Sequence, residues 1–147
     1  RFVFFQTNMV YKQVPDYQSG GEAGVVLVRS LPEGEYEIYN FDIFMNAGTL
    51  QNNYSSRAEF SIPFNVKQGE VTYLGNYQAN RLNGKNFLGL SLPDGAVFVV
   101  TDRLQSEVSI AQSKSKGTIG APNNKTPTVS SIGNAFFQGP EGRVGAN

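Results

Sequence analysis

The side chains with chemistry to offer in this sequence are its acids, its tyrosines and a few lysines and serines. Four Asp (Asp16, Asp42, Asp94, Asp102) and eight Glu are present, and two carboxylates held in unlike environments can divide the work of general acid and base. The chain contains no His, no Cys and no Trp. Without His, the group best matched to proton transfer near neutral pH is missing. Without Cys, thiolate nucleophiles, disulfides and thiolate zinc sites are missing too. What remains is a carboxylate pair or a Ser–Lys pair. The acids are scattered, and none falls at the spacing of a cation-binding loop. Convergence across a sheet is the one route left to an enzyme. The expectation is therefore a protein that is not an enzyme, with no catalytic, cofactor-binding or metal-binding residue assigned and no cofactor.

Other residue patterns point to binding. Tyr73 and Tyr77 stand at strand spacing on one face, where they would stack a sugar or a base, or serve as core aromatics with their hydroxyls at the rim. Glu33, Glu35 and Glu37 alternate and form either a solvated strand face or an acidic ridge for a cation or basic partner. Phe136 and Phe137 interrupt a Gly-rich stretch. With Ile132 and Val144 they are the candidate partner-docking residues, and the alternative is a plug on the domain's own core. Asn53-Tyr54-Ser55 and Asn124-Lys125-Thr126 match the N-glycosylation acceptor, a pattern an Asn-rich chain also produces by chance.

These residues need a scaffold, and composition limits its kind. The 147 residues suit one domain with a sizeable core. Charged residues make up 16% and the formal net charge is zero, which excludes a polybasic nucleic-acid binder and a charge-expanded disordered chain. Residues 112–147 carry +3 and the rest −3, so a basic tail faces an acidic body. No apolar run approaches the ~18–20 residues of a membrane span. Eleven Phe and seven Tyr supply the apolar area for a core.

Period two dominates the chain. Ala58, Phe60, Ile62, Phe64 and Val66 alternate with polar residues, and Pro63 on the polar side places that strand at a sheet edge or bulge. A turn at Lys67-Gln68-Gly69 leads into a strand through Val71, Tyr73, Gly75 and Tyr77. Asn83-Gly84 predicts a tight hairpin, with Phe87 to Leu92 as the return strand. Pro93-Asp94-Gly95 predicts a further turn into a buried strand at Ala96–Val100. Gly24–Arg29 reads as another central strand, ending at the turn Leu31-Pro32-Glu33-Gly34. The apolar phase changes between Ile38 and Tyr39, which predicts a bulge or bend there, or a strand buried on both sides. Phe2–Phe5 and Met9–Tyr11 read as opening strands, Tyr17–Gly21 and Ala47–Ser56 as loops. Asp102 with Gln105 makes an Asp-x-x-Gln capping box. With Leu104, Val108 and Ala111 at helical spacing, it predicts a helix over 102–113. Residues 114–128 read as a linker.

The segment Leu31-Pro32-Glu33-Gly34-Glu35-Tyr36 resembles the L-P-x-G-x-Y signature of carboxypeptidase-regulatory-like and other prealbumin-like β-sandwich modules. The segment from Phe64 to Gly75 is similar to the F-x-V-x-x-G-E-x-x-Y-x-G run of small bacterial envelope proteins and lipoproteins. The resemblance spans roughly residues 24–112. It implies a tyrosine entering the core from a tight turn, and a short helix after a buried strand. It also implies a periplasmic or outer-membrane setting in a bacterial cell envelope. The lipid-bearing Cys of such lipoproteins is not in this chain, so membrane attachment would need an anchor upstream of Arg1.

Together these readings predict an all-β fold: a seven- to eight-stranded antiparallel sandwich, prealbumin- or Ig-like, over residues 1–113, then an extended Gly/Asn/Ser/Thr-rich tail over 114–147. The function expected is a structural or binding module, an accessory subunit docking through its tail on protein partners or on a second copy. The alternative is a carbohydrate- or peptide-binding module using exposed Tyr. No nucleic-acid partner is expected.

Overall fold

Successive alternation, glycine turns and aromatic residues give a chain whose described residues form mostly strands, with two short helices among them. The computed structural model describes residues 14–47, 50–56, 59–85, 91–115, 117 and 119–140. The predicted opening strands at 2–5 and 9–11, and most of the return segment 87–92, lie outside these residues.

The first described pair is a hairpin of β1 (Tyr17–Ser19) and β2 (Glu22–Gly24). Its reversal is Gly20-Gly21, with φ of 59° and 80°, a combination that glycine reaches without a Cβ clash and that suits a two-residue hairpin. The expected loop at 17–21 is thus a turn between strands. The expected central strand at 24–29 does not form, since only Gly24 joins a ladder. The Val26 amide donates instead to Asp16 Oδ2 at 2.6 Å, and the Val26 carbonyl accepts from Lys114 Nζ at 2.9 Å. Side chains have taken the backbone groups a neighbouring strand would need.

Strand β3 (Gly34–Ile38) pairs antiparallel with β6 (Ile62–Val66), Glu37 opposite Pro63. The pair has no third strand among the described residues, so Pro63 sits where a missing N–H costs least. Burial alternates along β6, with Ile62 and Phe64 buried and Pro63 and Asn65 exposed. At Tyr36 the ring stacks on Phe64 with centroids 5.6 Å apart, and the hydroxyl donates back to the Pro32 carbonyl at 2.9 Å. The phase change after Ile38 is a break between strands. β3 stops, Tyr39 is exposed, and β4 (Asp42–Ala47) resumes with a different partner, β5 (Leu50–Ser55). The strand buried on both sides is therefore excluded at Tyr39, and the expected polar loop at 47–56 is mostly β5.

Gly69, with φ 78°, turns the chain after β6 as expected. β7 (Val71–Tyr73) and β8 (Asn76–Lys85) are then separated by Gly75. Gly75 has φ 96°, and a Cβ there would come within 2.9 Å of Thr126 Cγ2. β8 pairs with β9 (Ser91–Thr101) along their whole length. Asn83-Gly84 is inside this ladder, not at its end, because Gly84 pairs with Leu92 and Lys85 with Ser91. Pro93-Asp94-Gly95 does not reverse the chain either. Asn83 faces Pro93 and Leu82 faces Gly95, leaving Asp94 as the extra residue of a bulge.

Helix α1 (Leu104–Lys114) follows, and then the segment read as a linker over 114–128 within an extended tail to 147. Residues 122–138 instead return to the sheets. β10 (Pro122–Asn124) runs parallel to β7, α2 (Val129–Ile132) forms one turn, and β11 (Phe137–Gln138) runs parallel to β9. Among the described residues there are eleven strands, nine of them within 1–113 where seven or eight antiparallel strands were expected, and two of the six pairings, β10–β7 and β11–β9, are parallel. Phe60, Ile62, Val100, Ile132 and Phe137 form the buried cluster, with Ile38, Phe41, Tyr77, Phe98, Val129 and Phe136 packed against it.

Candidate functional site

Alternation along β8 sends Tyr77 to one face of the β8–β9 ribbon and Asn76 and Gln78 to the other. The Tyr77 face is aromatic. Phe137 meets Phe60 at 4.9 Å, Phe98 at 5.8 Å and Tyr77 at 6.4 Å between ring centroids. The Tyr77 hydroxyl is buried there with no hydrogen-bond partner among the described residues, and burial pushes its pKa up.

The opposite face holds the densest polar cluster. Asn76 Nδ2 donates to Glu107 Oε1 at 2.8 Å and to the Tyr17 hydroxyl at 3.1 Å. Thr101 donates to Asn76 Oδ1 at 3.5 Å. The Tyr73 hydroxyl donates to Glu107 Oε2 at 2.8 Å and accepts from the Arg103 amide at 3.1 Å. The Arg103 guanidinium pairs with Glu22 Oε2 at 2.6 Å, and Gln78 Nε2 donates to Glu22 Oε1 at 3.0 Å. Strands β1, β2, β7, β8 and β9 thus converge on the start of α1.

Burial, then the bond to Glu107, drives the Tyr73 pKa up, against the smaller opposing effect of the Arg103 amide. The bond to Glu22 raises that of Arg103 in spite of desolvation. Each group is held in the protonation state its partner requires. Both oxygens of Glu107 and of Glu22 accept bonds from the protein itself. Together these bonds tie the helix and the first hairpin to the sheet.

A second tie closes the other end of α1. Asp16 accepts from Lys114 Nζ and from the Val26 amide. Desolvation pushes its carboxyl pKa up, but the Lys114 and Val26 bonds together hold it below the usual carboxylate value.

The residues singled out by sequence distribute as follows. Tyr73 and Tyr77 do not share a face, because the chain breaks at Gly75: one points to the polar cluster and the other to the aromatic core. Ile132, Phe136 and Phe137, expected to dock a partner, are packed in the core of their own chain; Val144 lies outside the described residues. Glu33, Glu35 and Glu37 are exposed, and Glu37 accepts from Ser61 at 2.7 Å. The Asn124 amide of the second glycosylation match donates to Asp102 at 2.6 Å. Asp102 caps differently from the expected box. The helix begins two residues later, and Asp102 Oδ1 accepts from the Leu104 amide at 3.0 Å.

Sequence reasoning missed Glu107. It is the buried residue of α1, at 7% exposure, among half-buried Leu104, Val108 and Ala111. A carboxylate at i+3 inside an apolar stripe was the available signal.

No family model, curated protein or solved structure matches this chain. Among the described residues, no group of three or more His, Cys, Asp or Glu gathers as a metal site, and no helix is long and apolar enough to cross a membrane.

Proposed function

We propose that this chain is a non-enzymatic structural or binding module of a bacterial cell envelope, an accessory subunit of a larger protein assembly. The observation that supports the non-enzymatic part is that both oxygens of Glu107 and of Glu22 already accept bonds from the protein itself. Among the described residues, the acids, tyrosines and arginine that converge here hold α1 and the first hairpin in position. The envelope setting is supported by the motifs at 31–36 and 64–75, which resemble those of prealbumin-like envelope modules.

The finer fold belongs to this reading as well. Phe60 and Ile62, on and beside β6, meet Val100 of β9 and Tyr77 of β8 in one apolar cluster. Such facing strands are how two sheets of a prealbumin-like sandwich share a core. Because Ile132, Phe136 and Phe137 are packed within their own chain, the surfaces a single subunit of this kind offers other proteins are its strand edges and exposed faces.

Cell fractionation joined to cross-linking tests the reading. The chain is expected in the envelope fraction, in a covalent adduct larger than itself, when a bacterium that makes it is treated with a membrane-permeable cross-linker. A strictly monomeric cytosolic species overturns it.

A further inference from the structure

The segment 122–138 lies on the body like an added strand, and its attachments are of one kind at both ends. β10 takes the free edge of β7, with the Lys125 amide donating to the Tyr73 carbonyl at 2.8 Å. β11 takes the free edge of β9, where the Phe98 amide donates to the Phe136 carbonyl at 2.7 Å. Between them Ile132 and Phe137, at 6% and 5% exposure, fill the apolar cluster around Phe60, Ile62 and Val100. Without this segment β7, and one edge of β9, would have no strand partner among the described residues, beside an open aromatic seat, a surface that recruits another strand.

The link to the rest of the chain is slight. Of the residues between α1 and β10, the described ones, 115, 117 and 119–121, take no part in a ladder. Nothing lies within 4 Å of where a Cβ would stand on Gly117 or Gly120, and glycine leaves the backbone a wide choice of conformation. Every contact of 122–138 with the body is made equally well by the same segment of another molecule, and only the linker need change shape.

We infer that this seat, along β7 and β9, also accepts residues 122–138 of a second copy of this chain, giving a dimer by reciprocal exchange of the tail. The occupant is defined by the fit already present: an extended segment with Asn123 opposite Thr72, and Phe137 opposite Phe98. The inference goes beyond the envelope-module reading and stands without it. A chain that never exchanges leaves that reading intact, and an exchanged dimer found in the cytosol does the reverse.

The absence of cysteine allows a direct test. Chains carrying only Thr72→Cys are mixed with chains carrying only Asn123→Cys, unfolded, refolded together at high concentration and oxidised. Facing residues on adjacent strands lie within disulfide reach, so a mixed covalent dimer forms when the tail of one chain sits on β7 of the other. Expected is a mixed dimer well above the level either variant gives alone. In the chain with both cysteines, the ratio of linked dimer to internally closed monomer should rise about tenfold per tenfold rise in free chain, by mass action. Internal closure at every concentration, with no mixed dimer, overturns the inference. The unaltered chain, refolded concentrated and sized by light scattering, should show a dimer that persists on dilution. A monomer throughout overturns the inference even where a cysteine variant folds poorly.

Discussion

Replacing Glu107 with Ala tests whether the polar cluster braces the fold. The side chain is buried, and its two oxygens accept from Tyr73 and Asn76, both at 2.8 Å. Hydrogen bonds to a charged group contribute ~1.5–3 kcal/mol each, and a buried donor left without an acceptor costs ~1–3 kcal/mol. The Tyr73 hydroxyl proton loses its acceptor in the variant. Asn76 keeps the Tyr17 hydroxyl at 3.1 Å, so its loss is partial. Relief of the buried carboxylate and the better helix propensity of Ala work in the opposite direction. The balance is a destabilisation of about 2–4 kcal/mol, or a Tm lowered by roughly 6–15 °C for a chain of this size. Urea and thermal unfolding followed by circular dichroism read it directly. Glu107→Gln keeps one acceptor and should lose about half as much. A double-mutant cycle with Tyr73→Phe should show coupling on the order of 1–2 kcal/mol. A loss within ~0.5 kcal/mol, the range of an ordinary surface change, or strict additivity with Tyr73→Phe, refutes the brace.

Burial keeps the Tyr73 and Tyr77 hydroxyls protonated beyond the ordinary value of 10.0. The stability they confer is therefore whole below about pH 10 and falls as pH rises further, since the unfolded chain ionises first; two tyrosines should fail to ionise by ultraviolet absorbance until unfolding. Asp16 has a folded pKa below 3.8, so its contribution is present above that value and lost as pH falls through the folded pKa. Asp16→Asn should flatten the acid limb of a plot of denaturation midpoint against pH, and an unchanged limb would remove this residue from the account. Phe137→Ala should cost ~3–5 kcal/mol in urea unfolding, whereas a loss under ~1 kcal/mol would mean the tail does not close the core. Gly75→Ala meets both a φ of 96° and Thr126 at 2.9 Å, and should cost ~1–3 kcal/mol. Adding Thr126→Ser should recover only part of that in thermal melts, and full recovery would discount the backbone conformation.

Local alternation was readable where one face is buried and the other wet. Phe60, Ile62 and Phe64 announce β6, and the phase slip at Ile38–Tyr39 announces the break before β4. Partner choice was not readable. Gly84 and Pro93 carry strong turn signals, yet the β8–β9 ladder runs past both, because a bulge at Asp94 absorbs the misfit at the cost of one residue. Gln51, Asn52 and Asn53 have little strand propensity and are held in β5 by pairing with β4. The segment 24–29 shows the reverse case, a Val-rich run in which the Val26 amide and carbonyl are taken by Asp16 and Lys114. Of the polar cluster, Tyr73 stood out as an aromatic at strand spacing, and Glu107 left a trace as an acid in an apolar stripe. Asn76, Tyr17 and Glu22 meet it through contacts distant along the chain, which no local spacing encodes.

Parallel pairing of β11 with β9 has a consequence for biosynthesis. A ribosome delivers Phe137 after every residue that it covers. Strands β6, β8 and β9 must therefore wait, with Phe60 and Val100 exposed to water or to a chaperone, while the following helix and loop emerge. Completion of the interior is a late step imposed by the order of translation, and stalling anywhere between Thr101 and Phe137 would leave a sticky nascent product.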